Sequence, residues 1–584
     1  MRPENGEAVA AAAAAPGEKT RRTKLVRVKQ GYIDCLLREP TPKVFDGVPE
    51  EVIDNMPGDL REELHAAQDE TTRVYMQRLV DKDLDVLEQY RAKGMDVHGA
   101  SLVAPPSPAP PMLSIHTSRR VAASGESADE PLSPIAQMFN DLYIVAVVGL
   151  ATPIDVEPAR AGLEVTLVRH PRFSSIRVKD GGEPRWVRTK VNLDDHIIFP
   201  DLDAAAIAAD PDKVLEDYVS SLSTLPMDQS RPLWELHVLD FPTSEVASAV
   251  VFRLSHALGD GVSLISLLLA CTRSAADPEA LPAMPPPPPV YGRASPATLA
   301  AWWWALLSCV VLAWHTVVDV VRFVALAMGL VRDPRTVFTG VKGVELRRKR
   351  FVSYGLSLDD VKHVKNALGC TVNDVLVGGT SAALSRYYFR KSDDHATKKG
   401  VCLRSLLMVN VRSTPGIQEL AHLMESSKQN DVNWGNKTGQ IILPFHIAMH
   451  EDPLEYVSIA KKIVDRKKHS LEVFFTHGIG QRVTKILGVK VSGAIFQRMI
   501  TNTTMPFSNM VGPVEQVEFY GHRVVYIAPS VCGHPSALTI QWQSYANTIR
   551  VVLAVDDAQF LDCHQLLDDF AESLELIKDA ASMT

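Results

Sequence analysis

Apolar and polar residues alternate beyond residue 130 in patterns that predict a mixture of strands and helices. Residues 233–241, LWELHVLDF, and residues 247–255, ASAVVFRLS, predict a hairpin with Trp234, Leu236 and Val238 on one face. Further strands are expected at IVAVVGL, LEVTLVRH, FSSIRVK, RWVRTKVNL, LRSLLMVNVRST, RVVYIAPSV, SALTIQWQSY and TIRVVLAV. Apolar residues at helical spacing predict helices at DPDKVLEDYVSSLSTL, GVSLISLLLACTR, CTVNDVLVGGTSAALSRYY and HQLLDDFAESLELIKDA.

Changes of composition divide the chain into three parts. Residues 1–130 predict a disordered N-terminal extension with an amphipathic helix at 57–95 and a Pro/Ser/Ala-rich linker at its end. An N-terminal lobe is expected at 131–335 and a C-terminal lobe at 336–578. The five consecutive prolines in LPAMPPPPPVYGRASP interrupt the chain a second time, because such a run is extended and breaks any helix.

A long apolar segment follows these prolines. Residues 299–318, LAAWWWALLSCVVLAWHTVV, match the length of a bilayer span, and three tryptophans stand near one end, as at a membrane interface. Polar residues interrupt the segment, and Asp319 and Arg322 follow it directly. Three interpretations remain open: a membrane-embedded or interfacial helix, a single span, and a core helix of a soluble protein.

Charge and cysteine content narrow the possible partners. The net charge of −8 excludes nucleic acid as the main partner, because phosphate binding requires a basic face. The seven cysteines are scattered without a CxxC pair, which indicates reduced thiols and no structural zinc. The first nineteen residues carry Glu4 and Glu7 beside a weakly apolar alanine run, so they do not predict a signal peptide. The reduced thiols indicate a cytosol-facing protein.

The most suggestive site is the turn between the predicted strand 247–255 and the helix that follows it, in RLSHALGDGVSL. His256 stands at the strand end, and a neutral imidazole there can act as a general base. Asp260 could orient that imidazole, hold the loop through an arginine elsewhere, or cap the helix. Gly261 permits a tight turn and the close approach of a ligand.

The segment SHALGDG resembles the HHxxxDG signature of acyl-CoA-dependent acyltransferases with a chloramphenicol-acetyltransferase-like fold. Other segments are similar to the plant wax ester synthase/diacylglycerol acyltransferase family, among them RPLWELHVLDF, WGNKTGQIILPF, SNMVGPVE and APSVCGHPSALTIQWQSYANT. The resemblance covers about residues 130–578. Ser255 replaces the first histidine of the signature, whereas the second, which the family uses as the base, is His256.

The resemblance implies a mixed α/β fold of two similar lobes with a tunnel between them. It implies transfer of an acyl group from acyl-CoA to a long-chain alcohol or to diacylglycerol, with His256 as general base and no metal or permanently bound cofactor. The alcohol would give a wax ester and diacylglycerol would give triacylglycerol. The expected location is the cytosolic face of the endoplasmic reticulum membrane, with the plasma membrane as an alternative.

Further site residues are expected from the same resemblance, each beside a structural alternative. Asn373 and Asp374 lie near the active centre or cap a helix, and Arg412, with Asn410, pairs with Asp260 or caps a strand. The remaining candidates are a tight turn of Asn509, Gly512 and Pro513, and Ser544 and Tyr545 as oxyanion donors, cavity wall or strand packing. The basic run LRRKRF could meet CoA phosphates or lipid headgroups, or form a solvated face.

Two other functions remain open on the sequence. One is a soluble acyltransferase that acts on other alcohols, although the DFGWG element of those enzymes does not occur here. The other is a catalytically silent lipid-binding or interaction protein, which Ser255 and the N-terminal extension would suit.

Overall fold

The computed structural model describes residues 130–139, 141–179, 184–278, 280–284, 299–392, 400–412 and 434–583. The predicted helix at 57–95 and the proline run lie outside these residues. The helices are α1 Pro134–Met138, α2 Val156–Val165, α3 Ala204–Ala209, α4 Pro211–Ser221, α5 Gly261–Ala270, α6 Leu299–Ala327, α7 Leu358–Ala367, α8 Val372–Lys391, α9 Leu454–Lys468, α10 Glu472–Asn502 and α11 Cys563–Ser582.

The strands alternate with these helices along the chain. They are β1 Glu130–Pro131, β2 Tyr143–Leu150, β3 Ser175–Val178, β4 Arg185–Arg188, β5 Ile197–Ile198, β6 Trp234–Leu239, β7 Ser248–Ser255, β8 Thr272–Ser274, β9 Lys349–Ser357, β10 Val401–Asn410, β11 Thr438–Ile447, β12 Met505–Val511, β13 Val517–Phe519, β14 His522–Cys532, β15 Leu538–Tyr545 and β16 Thr548–Asp556.

Two large sheets carry the fold. The first has the strand order β5-β6-β7-β2-β14-β13-β8, and the second has the order β11-β10-β12-β15-β16-β9. Strands β13 and β14 belong to the predicted C-terminal lobe, yet they complete the sheet of the N-terminal lobe. Strand β14 pairs antiparallel with β2 from Cys532 and Tyr143 to Val524 and Leu150. The two lobes are therefore linked by strand exchange as well as by side-chain contacts.

The predicted hairpin is confirmed as β6 and β7, which pair antiparallel. Trp234, Leu236 and Val238 all pack into the core of the first lobe, as their shared face requires. Every residue of β7 is buried, because β6 and β2 flank the strand and both faces of the sheet are covered. A strand held on all sides fixes the position of the residue that follows it, His256.

The predicted strand at LEVTLVRH is wrong. Residues 163–165 end helix α2, and residues 167–169 form a short 3-10 turn. The buried residues of this stretch are Ala159, Leu163 and Leu167, which recur every four residues and so follow the helical period. Asp155 caps the start of this helix by accepting a hydrogen bond from the Glu157 amide at 3.2 Å.

The apolar segment after the prolines forms the long helix α6, nine residues longer than predicted. Its portion Leu306–Ala327 has a mean hydropathy of 1.8, and only 11% of that span's most apolar stretch is buried. Among the residues that the structure describes, this exposure favours the two membrane interpretations over the core helix. By length and composition α6 could cross a membrane, and one side of it is fastened to the second lobe.

Candidate active site

His256 lies at the end of β7 and faces the space between the two lobes. Its amide N–H donates to the carbonyl oxygen of Leu142, 2.8 Å away, and its own carbonyl oxygen accepts from Asn436 Nδ2 at 3.1 Å. The imidazole packs against the ring of Phe139, with ring centroids 4.8 Å apart. The position of His256 is therefore fixed by three contacts. They come from the residue before β2, from Phe139 at the end of α1, and from Asn436 of the second lobe.

Burial lowers the pKa of His256 below its ordinary value of 6.5. The imidazole is consequently neutral at pH 7, the protonation state that can accept a proton. It forms part of the wall of a large apolar cavity. A neutral, positioned imidazole beside such a cavity can act as a general base toward a bound hydroxyl group.

Asp260 holds the turn after His256 and caps helix α5. Its Oδ1 accepts from the amide of Ser263 at 3.1 Å, and its Oδ2 accepts from Arg412 Nη1 at 2.8 Å and from the amide of Lys437 at 2.9 Å. Of the three roles expected for Asp260, the structure shows two, the helix cap and the arginine pair that holds the loop. Asp260 acts on His256 through the backbone, so it is a positioning residue.

Arg412 reaches Asp260 from the end of β10 in the second lobe. Its Nη1 also donates to Asn410 Oδ1 at 3.0 Å, and its Nη2 donates to Ser263 Oγ at 3.1 Å. The side chains of Arg412 and Asp260 are almost completely buried, at 1% and 4% exposure. Of the two alternatives for Arg412, the structure has the ion pair that supports the loop.

Ser255 and Gly261 shape the turn, and of the two only Gly261 lines the cavity. Ser255 is fully buried, and its Oγ accepts from the amide of Ala257 at 3.4 Å. The serine that replaces the first signature histidine therefore braces the turn. A Cβ atom on Gly261 would lie 2.8 Å from Met510 Cε, so glycine lets β12 approach the start of helix α5.

The pair Asn373 and Asp374 separates into two roles. Asn373 lines the cavity, and its Oδ1 accepts from Asn509 Nδ2, which lies 3.2 Å away and also lines the cavity. Asp374 caps helix α8 instead: its Oδ2 accepts from the amide of Thr371 at 2.8 Å, and Thr371 Oγ1 accepts in return from the Asp374 amide. The helix-cap alternative therefore applies to Asp374 alone.

Gly512, Pro513 and Ser544 form a corner between β12 and β15 and do not belong to the cavity wall. The Gly512 amide donates to the Ser544 carbonyl oxygen at 3.0 Å, and the Pro513 carbonyl oxygen accepts from Ala546 at 2.8 Å. A Cβ on Gly512 would lie 2.4 Å from the Ser544 carbonyl oxygen, so this turn requires glycine. The expectation that Ser544 lines the cavity is corrected, because its side chain faces this corner.

Tyr545 is likewise a packing residue, and its expected place at the cavity is corrected. Its hydroxyl accepts from the amide of Val517 at 2.9 Å and donates to the carbonyl oxygen of Val524 at 3.0 Å. Burial raises the pKa of Tyr545 to about 12. The hydroxyl is thus engaged in joining β15 to β13 and β14, away from the cavity.

The basic run LRRKRF is neither a phosphate site nor a solvated face. Lys349 is buried and donates to the carbonyl oxygen of Ser536 at 2.7 Å, and burial lowers its pKa to about 8. The three arginines pair with carboxylates of neighbouring segments. These pairs are Arg347 with Asp556, Arg348 with Asp217 and Asp557, and Arg350 with Glu216, Asp217 and Asp557.

The cavity has a volume of about 810 Å³ and lies between the two large sheets. Strands β10 and β12 pair only at Ser405 with Met505 and at Leu406 with Pro506, and beyond these pairs the strands separate. The later residues of both strands line the cavity, as do Leu443 and Val464 on the helix side of the second sheet. The cavity therefore extends from His256 through the gap between β10 and β12.

Several polar residues of the cavity wall were missed on the sequence, among them Ser508, His534 and Gln541. Ser508 Oγ and Gln541 Oε1 are buried without a hydrogen-bond partner among the residues that the structure describes. In SALTIQWQSY the polar Thr539 and Gln541 alternate with apolar residues although the strand is buried on both faces. That alternation is the signal that could have indicated a cavity face.

His534 is fully enclosed beside the same cavity. Its Nε2 lies 2.9 Å from Thr539 Oγ1, and burial lowers its pKa to about 3. Within the part of the chain that the structure describes, no three His, Cys, Asp or Glu side chains are grouped so as to hold a metal ion.

Two mixed-sheet lobes that share strands and enclose an apolar cavity, with His256 and His534 in its wall, define a chloramphenicol-acetyltransferase-like fold. Comparison with solved structures agrees: the wax ester synthase/diacylglycerol acyltransferase from Marinobacter aquaeolei VT8 aligns with a TM-score of 0.51 at 18% identity. That alignment covers 78% of this chain and all of that one.

Sequence comparison identifies the family. The model of the wax ester synthase/diacylglycerol acyltransferase catalytic domain matches residues 149–376, and that of the WS/DGAT C-terminal domain matches residues 434–578. Wax ester synthase/diacylglycerol acyltransferase 11 of Arabidopsis thaliana is 45% identical over 467 residues, 77% of this chain and 95% of the relative. Wax ester synthase/diacylglycerol acyltransferase 5 of the same plant is 43% identical over 479 residues, which cover 78% of this chain and 94% of the relative.

The chain belongs to the wax ester synthase/diacylglycerol acyltransferase family, and it is an O-acyltransferase. The resemblance drawn from the sequence motifs, the mixed α/β fold and the enzyme class are confirmed.

Proposed function

We propose that this protein transfers an acyl group from acyl-CoA to the hydroxyl group of a long-chain alcohol or of diacylglycerol, with His256 as the general base. The observation that carries the proposal is the neutral imidazole of His256 at the wall of the apolar cavity. The names of the relatives support both acceptor classes. Acyl-CoA is a co-substrate, and no permanently bound cofactor is required.

The reaction needs no covalent acyl-enzyme. His256 accepts the hydroxyl proton while the acceptor oxygen forms a bond to the thioester carbonyl carbon. The tetrahedral intermediate then loses the CoA thiolate as the carbon–sulfur bond breaks, and the imidazolium returns its proton to that sulfur. A positioned base of this kind contributes about 10² to 10⁴ in rate.

The cavity suits chains that are long and apolar. Its wall is formed mainly by aliphatic and aromatic side chains of both lobes, including Ile144, Val148, Phe252 and Leu254 of the first sheet. The extension through the gap between β10 and β12 gives a second apolar compartment beyond His256. Two chains could therefore meet at the histidine from different directions, one as thioester and one as alcohol.

The proposed location is the cytosolic face of the endoplasmic reticulum membrane. Helix α6 supports this proposal, because Trp303, Leu306, Val310 and Trp314 expose more than half of their surface. An exposed apolar face on a helix marks an interaction with a membrane or a partner. Recovery of the full-length protein entirely in a high-speed supernatant would contradict the proposal for the location alone.

The test of the activity supplies purified protein with labelled palmitoyl-CoA and either hexadecanol or diacylglycerol. Wild type should form ester with at least one acceptor, and His256→Ala should lower the rate by about 10² or more. His363→Ala, which removes an exposed histidine of α7, is the matched control and should equal wild type. Equal rates for His256→Ala and wild type would remove His256 from the mechanism.

The same assay separates the alternatives. A catalytically silent lipid-binding protein would bind palmitoyl-CoA or the acceptor without forming ester in any variant. An acyltransferase on other alcohols would turn over a panel of short or phenolic alcohols and leave hexadecanol and diacylglycerol unused.

A further inference from the structure

Helix α6 is fastened to the second lobe beside one end of the cavity. His315 Nδ1 donates to the carbonyl oxygen of His469 at 3.2 Å, and Thr316 Oγ1 accepts from the amide of Leu471 at 3.0 Å. One turn further along, Asp319 is fully buried and pairs with Arg466 at 2.6 Å. These contacts hold the apolar helix against the junction of α9 and α10.

The junction of α9 and α10, residues 470–475, is the rim. It belongs both to the cavity wall and to the protein surface. Ser470, Val473 and Phe474 of the rim line the cavity, and Phe474 is 60% exposed. The neighbouring Leu471 and Phe475 are 46% and 39% exposed and point outward. An apolar path therefore leads from the exposed surface across the rim into the cavity.

The exposed charges of the two long helices that meet at the rim, α6 and α10, are of one sign. The two acids of α6 and α10, Asp319 and Glu472, are buried in ion pairs with Arg466 and Lys467. The exposed charged residues of these two helices are all basic. They are Arg322, Arg482, Lys485, Lys490 and Arg498.

We propose that the rim is a lateral portal through which the apolar acceptor passes directly from a phospholipid bilayer into the cavity. The proposal rests on the acyl transfer proposed above. In this arrangement the exposed faces of α6 and α10 lie in the bilayer surface, and the basic residues contact lipid phosphates. The acceptor reaches His256 without crossing water, whereas acyl-CoA need not use this route.

The bilayer is favoured over a second copy of the chain as the occupant of this surface. An interface between two copies of these helices would bring basic residues of the same kind together, and like charges repel. Ile486 and Leu487, 77% and 53% exposed, extend the apolar surface along α10 between basic side chains. Alternation of apolar and basic residues on one exposed face is typical of interfacial helices.

The test compares a membrane-borne acceptor with a soluble one. The full-length variant Leu471→Ser/Phe475→Ser alters only the outward side of the rim, and serine is a favourable residue at the N-cap position of α10. Hexadecanol in phosphatidylcholine/phosphatidylserine vesicles and 1-octanol in solution are the two acceptors, each with palmitoyl-CoA. Leu576→Ser, at an equally exposed leucine of α11, is the matched control.

The portal predicts that the rim variant loses about tenfold or more of its rate with vesicle-borne hexadecanol, since two apolar contacts with lipid are removed. Its rate with 1-octanol and both rates of Leu576→Ser should equal wild type. Unchanged vesicle rates, or equal losses with both acceptors, would overturn the portal. A stable dimer without detergent that the rim variant dissociates would also overturn it, in favour of a second copy.

These outcomes differ from a failure of the proposed acyl transfer. If wild type formed no ester from 1-octanol, hexadecanol or diacylglycerol, the acyl transfer and the portal would both be rejected. If wild type were active, and the rim variant kept both rates or lost both rates equally, the portal alone would be rejected. A second variant, Lys485→Glu/Lys490→Glu, should reduce binding to phosphatidylserine-containing vesicles about tenfold or more.

Discussion

Arg412 Nη1 lies 2.8 Å from Asp260 Oδ2, and this buried contact joins the turn after His256 to the opposite lobe. The two residues are separated by 152 positions in sequence. Through this pair the second lobe holds the turn that follows β7 and the start of helix α5. The geometry of the histidine thus depends on both lobes, although its own strand belongs to one.

The ion pair predicts a large loss of stability when the arginine is removed. Arg412→Met leaves the Asp260 carboxylate buried with amide donors only, and an uncompensated buried charge costs about 3 to 5 kcal/mol. Chemical denaturation followed by tryptophan fluorescence measures this change. Lys362→Met removes an exposed pair with Asp359 and should cost under about 1 kcal/mol. Similar losses for both variants would contradict the structural role of Arg412.

The depressed pKa of His256 predicts the pH dependence of the rate. Protonation abolishes the base, so kcat/KM should fall as the pH is lowered, with a midpoint below 6.5 because burial lowers the pKa of the free enzyme's imidazole. Steady-state rates between pH 5 and 8, with palmitoyl-CoA and acceptor well below their KM values, measure this midpoint. A midpoint at or above 7 would show that the imidazole is charged at neutral pH.

His534 predicts a pH dependence of stability. Its pKa is about 3 in the folded protein and about 6.5 when unfolded, so below pH 6.5 the unfolded chain binds a proton that the folded chain does not. Stability is therefore lost as the pH falls. Between pH 7 and 5 this residue contributes a loss of about 2 kcal/mol. In His534→Asn the free energy of unfolding, measured by denaturation, should fall about 2 kcal/mol less between pH 7 and 5 than in wild type. An equal fall in the two proteins would refute this role of His534.

Two glycines of the site should respond differently to alanine. Gly512→Ala places a Cβ 2.4 Å from a backbone oxygen that cannot move away, so it should cost about 1 to 3 kcal/mol. Gly261→Ala meets only the flexible end of Met510 and gains helix propensity, so its stability should change by less than about 1 kcal/mol. Thermal denaturation ranks the two, and the reverse order would contradict the described turns.

The local elements were largely predictable from the sequence. Alternation identified β6, a continuous apolar run identified β7, and the polar turn with Asp260 identified the start of α5. His256 could be placed at a strand end for the same reason. LEVTLVRH misled, because its short alternation of apolar residues is also compatible with the four-residue spacing that α2 follows.

Long-range features were not predictable, since they depend on which distant segments meet. No local pattern shows that β14 enters the first sheet beside β2, or that β10 and β12 separate to extend the cavity. The basic run appeared suited to phosphates until its carboxylate partners from α4 and the segment after β16 were located. The packing role of Tyr545 was equally hidden, because its hydroxyl contacts the distant strands β13 and β14.

The central claim is that His256 accepts the proton of the attacking hydroxyl group. The most direct measurement is the rate of CoA release by His256→Asn with palmitoyl-CoA and the better acceptor, followed with a thiol reagent and compared with wild type. Asparagine keeps a polar side chain but cannot take the proton, so the rate should fall by about 10² to 10⁴ while the melting temperature is retained. A folded His256→Asn protein that releases CoA at the wild-type rate would contradict the claim.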